Sequence, residues 1–236
     1  VIEGSCEGPH LRQAEFSGRL NPETGQAAIS GKLLELALCP ELLGRLARPV
    51  AEPAQCLQPL RANVRGGWRV NYDPRRAKPL EFLVEGEFAQ GRLDDPRLPL
   101  VLSDVRGRFR ADERGFELQE LTARSERASL WGSVRSTGYG ARAPLAAELQ
   151  IRQLRVDDSL IERLPPQLES LRGVWFKFLP AGEVDLRAKV AFDGQQWRPE
   201  VRIDLVDMAF TYHKFPYRLE RTTGALTLEG RKLGLN

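Results

Sequence analysis

The stretch GEVDLRAKVAFDG, residues 182–194, decides how the rest of the chain is interpreted. Apolar side chains occupy every second position, including Val184, Leu186, Val190 and Phe192, while the residues between them are mostly charged. Alternation with a period of two is the pattern of a β-strand that packs one face on a core and leaves the other in water. The stretch therefore predicts a half-buried strand that ends at a turn containing Gly194.

The same alternation recurs along the chain. The segment KPLEFLVEGEF, residues 78–88, puts Phe82 and Val84 on one face. The segment that begins at Pro199 does the same with Ile203 and Leu205. These segments predict a sheet made of many strands, each wet on one side only.

The alternation changes phase inside two of the predicted strands. After Leu205 the apolar positions continue at Met208 and Phe210, and a similar shift separates Ile151 from Leu154. One extra residue in a strand is a β-bulge, which bends the strand and increases its twist. Repeated bulges favour a curved, coiled sheet over a flat one.

The connections define the fold class. Short turn sequences such as NPETGQ (21–26) and FDGQQW (192–197) join neighbouring strands, so the sheet is expected to be antiparallel. Helix signals occur in two segments, CPELLGRLARP (39–49) and SLIERLPPQLESL (159–171). We predict a mainly β protein, a long, twisted and curved antiparallel sheet with two short helical insertions.

A sheet of this kind has an apolar face that the helices are too few to cover. About a dozen strands at about 4.8 Å each give a sheet about 58 Å long. An apolar face of that size is not left in water without a purpose. The sheet could close into a barrel, fold into a sandwich, or curve into an open trough that holds an apolar ligand.

The chain also contains an internal repeat. Leu98-Pro99 is followed by Gly107 and Phe215-Pro216 by Gly224, and the two prolines are 117 residues apart (216 − 99). Proline cannot donate to a strand ladder and glycine permits a turn or bulge, so we interpret this motif as a connector between strands. We expect residues 1–46 to end a truncated repeat, 47–164 to form a full repeat ending in a short helix, and 165–236 to begin the next, all in one continuous sheet.

The register of the repeat leaves two alternatives. The letters RGGW (65–68) resemble RGVW (172–175), whereas residues 64–72 fit residues 184–192 better as strands. The chain starts with valine and stops inside a strand pattern, so we expect it to be part of a longer protein.

Composition argues against several classes of protein. There are 35 Lys and Arg against 32 Asp and Glu, interleaved rather than massed on one face, so no nucleic-acid partner is expected. No apolar run reaches the length of about 18 residues that a membrane-spanning helix needs. Cys39 and Cys56 flank the first helical insertion and could form a disulfide, or they could be buried thiols.

Residue patterns typical of catalysis are missing. The histidines, His10 and His213, are far apart in sequence and without ligand spacing, and no C-x-x-C occurs. Asp157 and Asp158 stand where a helix begins, and helix capping is a sufficient reason for them. We therefore expect no enzyme activity, no catalytic residues, no metal site and no cofactor.

The repeated proline–glycine motif resembles an element of a known protein family. FPYRLERTTGALTLEG (215–230), together with its weaker copy LPLVLSDVRGRF (98–109), is similar to the recurring element of AsmA-like and TamB-like bacterial envelope proteins. The resemblance implies a long sheet coiled into a trough that carries phospholipid acyl chains between the inner and outer membranes. It also implies a periplasmic, cell-envelope location and an inner-membrane anchor in segments outside this chain. The two helical insertions depart from the plainest family pattern.

Two hypotheses from different classes follow. In the first, the chain is a segment of a lipid-binding or lipid-transfer trough with a phospholipid or other acyl lipid as partner. Its predicted lining residues are Phe82, Val84, Leu186, Val190, Phe192, Ile203, Leu205 and Phe210. In the second, the chain is a structural or protein-binding scaffold whose apolar face is closed by other strands. A hydrolase would need converging acids and histidines, which the sequence does not show.

Overall fold

The strands form one open sheet. The computed structural model describes residues 1–44, 58–140, 142–164, 169–212, 214, 217–229 and 232–235. Within these ranges thirteen strands follow each other in sequence order, and each pairs antiparallel with the next. The first and last of them are the two edges, so the sheet is not closed into a barrel. The predicted fold class, a mainly β antiparallel sheet that forms an open curved trough, is confirmed.

The strands are seven to fifteen residues long, except for the four-residue strand at the C-terminal edge. Their bounds are β1 (Ile2–Gly8), β2 (Leu11–Asn21), β3 (Gln26–Leu38), β4 (Leu60–Tyr72), β5 (Leu80–Leu93), β6 (Leu102–Asp112), β7 (Gly115–Ser125), β8 (Ala128–Thr137), β9 (Leu145–Val156), β10 (Ala181–Phe192), β11 (Trp197–Thr211), β12 (Arg218–Glu229) and β13 (Lys232–Leu235).

Helices occur at the two predicted insertions. They are α1 (Pro40–Leu43), between β3 and β4, and α2 (Asp158–Glu162) and α3 (Glu169–Phe178), both between β9 and β10. The second insertion therefore carries two helices rather than one. Arg172 lies in α3 whereas Arg65 lies in β4, so the similarity of RGVW to RGGW does not reflect equivalent structure. Residues 64–72 and 184–192 lie in β4 and β10, and each of these is the next strand in sequence after a helical insertion.

Successive hairpins divide the strand ends into two rims. The helices and the connections after β5, β7 and β11 lie at one end of the strands, which we call the helical rim. The opposite ends, which we call the hairpin rim, carry the turns after β2, β4, β6, β8 and β10. The long axis of the trough runs across the strands, from β1 to β13, between these two rims.

A line of β-bulges bends the strands near the helical rim. Ten of the twelve strand pairings in the described residues contain a register shift, and the shifts lie toward that rim except the one between β7 and β8, which is at mid-strand. The bulges predicted between Ile151 and Leu154 and between Leu205 and Met208 are among them. We call this line the crease. Left-handed backbone inside the strands marks it at Gln90, Asp104, Glu120, Gln153 and Arg221.

The crease explains the internal repeat. Asp104 and Arg221 have φ angles of 51° and 52°, and each stands three residues before the glycine of its motif, Gly107 or Gly224. Leu98 and Pro99 lie in the connection between β5 and β6, as expected for a connector, whereas Gly107 lies inside β6 beside its register shift. Phe215 and Pro216 lie outside the described residues. The described part of the motif thus carries a bulge at the same place in β6 and β12.

The buried core lies on the helical side of the crease or directly beside it. Phe88, Val105, Ile151 and Met208 are among its members, and Met208 is only 2% exposed. Toward the hairpin rim, the apolar residues of the same face are only half-buried or exposed. The sheet is therefore well packed along one margin and open along the other.

Glycines allow aromatic rings to pack across neighbouring strands. A Cβ atom built on Gly107 would lie 2.8 Å from Cζ of Phe88, and one built on Gly31 would lie 2.6 Å from the ring of Trp68. Such a ring covers the backbone of the glycine opposite, an arrangement that helps to fix strand register. The glycine of the repeated motif in β6 is therefore required by close packing.

The crease can be tested at Gln153. Left-handed backbone costs an L-residue about 1–2 kcal/mol and is worst for a β-branched side chain. We expect Gln153→Val, where φ is 56°, to lower the free energy of unfolding in urea by about 1 kcal/mol, because the β-branched side chain adds steric strain to the cost that glutamine already bears there. Gln150→Val, at a regular position of the same strand, is the control and should have little effect. Equal losses in the two variants would contradict the proposed strain at the bulge.

The packing of the motif glycine gives a second test. We expect Gly107→Ala to destabilise the protein by about 1–3 kcal/mol, because the new methyl group meets the Phe88 ring. Gly140→Ala is the control, since a Cβ there has no heavy atom within 4 Å. Thermal unfolding followed by circular dichroism compares the two, and an unchanged midpoint for Gly107→Ala would refute the close contact.

Candidate functional site

The register of the strands defines one continuous apolar face, which we call the inner face. Residues directly opposite each other in an antiparallel pair lie on the same side of the sheet. Following these pairs strand by strand gives rows that run along the trough. One row is Gly31, Trp68, Val84, Ala111, Phe116, Ser136, Leu145, Phe192 and Trp197. The next is Leu33, Gly66, Gly86, Phe109, Leu118, Val134, Ala147, Val190 and Pro199.

The inner face is free of charge along these rows. A third row beside the crease contains only Ala123, Leu130, Ile151, Leu186, Ile203 and Leu226. Ser136 is the one hydrophilic side chain in the three rows, and none of their members is ionisable. Because the rows cross up to nine strands, the face is a connected apolar surface rather than a set of separate patches.

All eight predicted lining residues lie on this face. Leu186, Ile203, Leu205 and Phe210 pack against the buried core near the crease. The other four are on the hairpin side, namely Phe82, Val84, Val190 and Phe192. Each of the eight remains partly exposed. The structure brings them onto one surface but not into one pocket, because β5 is separated from β10 by four strands and from β11 by five.

The middle of the inner face was missed by the sequence prediction. Val105, Leu118, Leu130 and Val134 belong to β6–β8 and occupy the same rows or the core beside them. The alternation of β6 is interrupted at Asp104, where the bulge falls only two residues into the strand. A search for short apolar alternations whose phase shifts by one residue, as happens at a bulge, would have found this strand.

The outer face is hydrated and charged. Cross-strand ion pairs on it include Arg135 with Glu117, Arg65 with Glu87, and Lys189 with Glu148 at 3.3 Å. Exposed pairs of this kind contribute little to stability. Their importance is that they keep one face in water and so fix which face can be apolar.

Exposed aromatic side chains lie at both rims, with Phe178 and Tyr212 in contact at the helical rim and several others at the hairpin rim. Phe192 and Trp197 stack with ring centroids 4.7 Å apart, and Trp197 is 59% exposed. Tyr139, in the turn after β8, packs near Phe82, and its hydroxyl lies 2.6 Å from the carbonyl oxygen of Asp112. Burial raises the pKa of this tyrosine. The apolar face therefore meets water at this rim through amphipathic rings.

The second helical insertion covers the opposite margin. Leu160 and Trp175 pack against the buried core. Arg163, just after α2, reaches Asp94 at the end of β5, with 3.5 Å between Nη2 and Oδ1. The strands that these residues follow, β9 and β5, are four places apart, about 19 Å across a flat sheet. The insertion consequently extends back over the helical rim of several strands.

Asp157 anchors this insertion as a helix cap, which confirms the sequence interpretation. Its carboxylate accepts hydrogen bonds from the backbone N–H of Ser159 at 3.0 Å and of Leu160 at 3.3 Å. The hydrogen bond from the Ser159 side chain is the main cause that lowers the pKa of Asp157, and Arg155 adds to it. The carboxylate stabilises the first turn of α2 in its ionised form.

Two of the other candidate residues, His10 and Cys39, lie close together. His10 Nδ1 lies 3.6 Å from Sγ of Cys39 at the helical rim. His213 and Cys56 lie outside the described residues, so the structure does not address the proposed Cys39–Cys56 disulfide. Among the described residues, no group of three or more His, Cys, Asp and Glu side chains is arranged to hold a metal ion.

Comparison with known proteins adds no identification. No family model, curated protein or solved structure matches the chain. In the part of the chain that the structure describes, no helix combines the length and apolar character needed to cross a membrane. The inner face is therefore the feature of this molecule from which a function can be inferred.

The cap of α2 gives a pH-dependent prediction. Because the folded-state pKa of Asp157 is lowered, its stabilisation is complete above the unfolded-state pKa and disappears as the pH falls through the folded-state value. We expect Asp157→Ala to cost about 1 kcal/mol at pH 7, and the difference from wild type to shrink below about pH 4. Urea unfolding at several pH values measures it, with Asp157→Asn, which still caps, as the control. A pH-independent difference would contradict this role.

Proposed function

We propose that this chain is a segment of a lipid-binding or lipid-transfer trough that holds phospholipid acyl chains along its inner face. The observation that supports this function best is the uncharged apolar surface that crosses the sheet and remains open toward the hairpin rim. A protein that keeps such a surface in water needs an occupant for it. The resemblance to AsmA-like and TamB-like proteins points to the same function.

The size of the open strip fits an acyl chain. From the hairpin rim to the crease, β9 runs from Leu145 to Ile151, about 20 Å at about 3.3 Å per residue step. The hydrocarbon core of a bilayer is about 30 Å thick, so an acyl chain in one leaflet spans about 15 Å. A chain lying along the strands therefore fits within the strip.

Binding and movement need no chemical step. Each methylene group removed from water contributes about 0.8 kcal/mol, whichever apolar residue it contacts. Neighbouring strands present similar aliphatic and aromatic groups, so an acyl chain that slides along a row exchanges equivalent contacts. Transfer along the trough is then passive, and its direction is set by the membranes at either end. We place the protein in the periplasm and its anchor in segments beyond this chain.

The second hypothesis, a protein-binding or structural scaffold, requires a different occupant of the inner face. It requires that other polypeptide covers the strip. In the described residues the helices cover only the margin along the helical rim. The scaffold is therefore the outcome to expect if the purified protein carries no lipid.

Val190 and Ala191 provide a matched pair for testing the function. Val190 lies on the inner face and is half-buried, whereas its neighbour Ala191 is exposed on the outer face. We expect Val190→Asp to reduce bound phospholipid at least about tenfold, because a charge in the strip costs well over the 1.4 kcal/mol that a tenfold change represents. Ala191→Asp should leave it unchanged.

The measurement is lipid extraction and mass spectrometry of protein purified without detergent from a lipid-containing host. Circular dichroism establishes that both variants are folded. Lipid retained by folded Val190→Asp, or absent from folded wild-type protein, would contradict the trough.

A further inference from the structure

We propose that part of the helical rim is a membrane-contacting surface that docks on an anionic phospholipid bilayer. The surface combines the exposed side of α3 with the junction between β11 and β12, and we call it the aromatic patch. Its members are Phe176, Phe178, Leu179, Tyr212, Tyr217 and Leu219. The proposal goes beyond the proposed function, because lipid held in the trough and contact with a membrane are separate properties.

The aromatic patch is built from two elements that touch each other. The rings of Phe178, at the end of α3, and Tyr212, directly after β11, have centroids 5.3 Å apart. On the neighbouring strand, Leu219 pairs with Phe210, one of the lining residues of the inner face. The patch is therefore continuous with the inner face where β11 and β12 reach the helical rim.

The helix α3 is apolar on two sides. Trp175 packs against the buried core. The next residue, Phe176, is 65% exposed, and Tyr217 near the start of β12 is 69% exposed. A helix that is apolar toward the core and also away from it needs a second apolar environment. A group of large exposed apolar side chains of this kind marks an interaction site.

The backbone after α3 holds one member of the patch in place at a cost. Leu179 has a φ angle of 39° and is exposed. Glycine usually occupies a left-handed position just after a helix, because an L-side chain adds strain there. Leucine therefore adds apolar surface to the patch at a position where the backbone alone favours glycine.

The charge around the patch selects an anionic partner. Residues 169–179 and 211–220 contain four Lys and Arg against two Glu. The rest of the chain is nearly balanced, with 31 basic residues (35 − 4) against 30 acidic ones (32 − 2). Of the two glutamates, Glu220 is ion-paired with Arg218, with 3.4 Å between Oε1 and Nε. Most of the net positive charge of the chain is thus located at the patch.

Lysine beside exposed aromatic rings is typical of protein surfaces that lie in a membrane interface. Lys177 stands between Phe176 and Phe178 in sequence, and Lys214 follows Tyr212 by two residues. Both lysines are exposed. The rings can enter the boundary between headgroups and acyl chains while the ammonium groups remain beside lipid phosphates. This combination favours an anionic bilayer over a protein partner.

Vesicle flotation of the full chain tests the surface. The vesicles contain phosphatidylcholine alone or phosphatidylcholine mixed with phosphatidylglycerol. We expect Phe176→Asp to weaken binding to the mixed vesicles at least about tenfold, because it removes a buried ring from the contact. Trp197→Asp is the matched control, since Trp197 is similarly exposed but lies at the hairpin rim, and it should bind like the wild type.

Lys177→Gln tests the charge separately. It should weaken binding to the mixed vesicles about fivefold, the effect of one charge near an anionic surface, and leave binding to pure phosphatidylcholine unchanged. Circular dichroism establishes that each variant is folded. Equal losses in Phe176→Asp and Trp197→Asp, or a wild-type protein that does not float, would overturn the proposal. A p-benzoylphenylalanine at position 176 that crosslinks to polypeptide rather than phospholipid in cells would also overturn it.

Val190→Asp separates this surface from the trough. The variant should lose lipid from the inner face but still float with the mixed vesicles, whereas Phe176→Asp should keep its co-purified phospholipid. Loss of flotation in folded Val190→Asp would mean that vesicles bind through the inner face, and would overturn the proposal. A wild-type protein that floats but carries no lipid after purification would contradict the trough and support the membrane surface.

Discussion

This structure depends on one constraint: a single long sheet has a charged face and an uncharged face. Within the described residues, no second sheet covers the uncharged face. Ion pairs such as Lys189 with Glu148 hold the outer face in water. The row of the inner face that contains Val134 and Val190 includes no ionisable side chain. Many proteins with such strands close them into barrels or sandwiches. Here thirteen strands remain in one open sheet within the described residues.

The crease stabilises the open sheet, because the bend in its strands allows part of the inner face to be buried. Bulges at Gln90, Asp104 and Gln153 bend successive strands at a similar level. They also shift the side-chain phase, so that Ile151 and Leu154 can both face inward on either side of the bulge. The backbone N–H of Gln153 is not lost, because it donates to Asp185 Oδ1 of the neighbouring strand at 2.9 Å. The strain of left-handed residues is thereby offset by the core that the bend creates around Val184 and Met208.

Much of this fold could be predicted from the sequence. The alternation in residues 182–194 fixed the strand type, and the phase shift after Leu205 located a bulge, because both signals are local. The level at which bulges align across the sheet depends on pairing between distant strands, so the crease was not predictable. The same holds for the cover of the helical rim, since nothing local indicates that Arg163 reaches Asp94. Of the inner face, β5, β10 and β11 were found, because each contains a stretch of uninterrupted alternation beside its bulge, whereas β6–β8 were missed because bulges and glycines interrupt their pattern.

Photocrosslinking can show directly whether the inner face contacts lipid in the cell. Val134 is half-buried on the inner face, and its neighbour Arg135 is exposed on the outer face, in the same strand. A photoreactive p-benzoylphenylalanine at either position, irradiated in living cells, reports what lies against each side. A lipid-lined trough should give phospholipid adducts at position 134 and none at position 135. Adducts to another protein at position 134, or lipid adducts of equal yield at both positions, would contradict a lipid-lined trough.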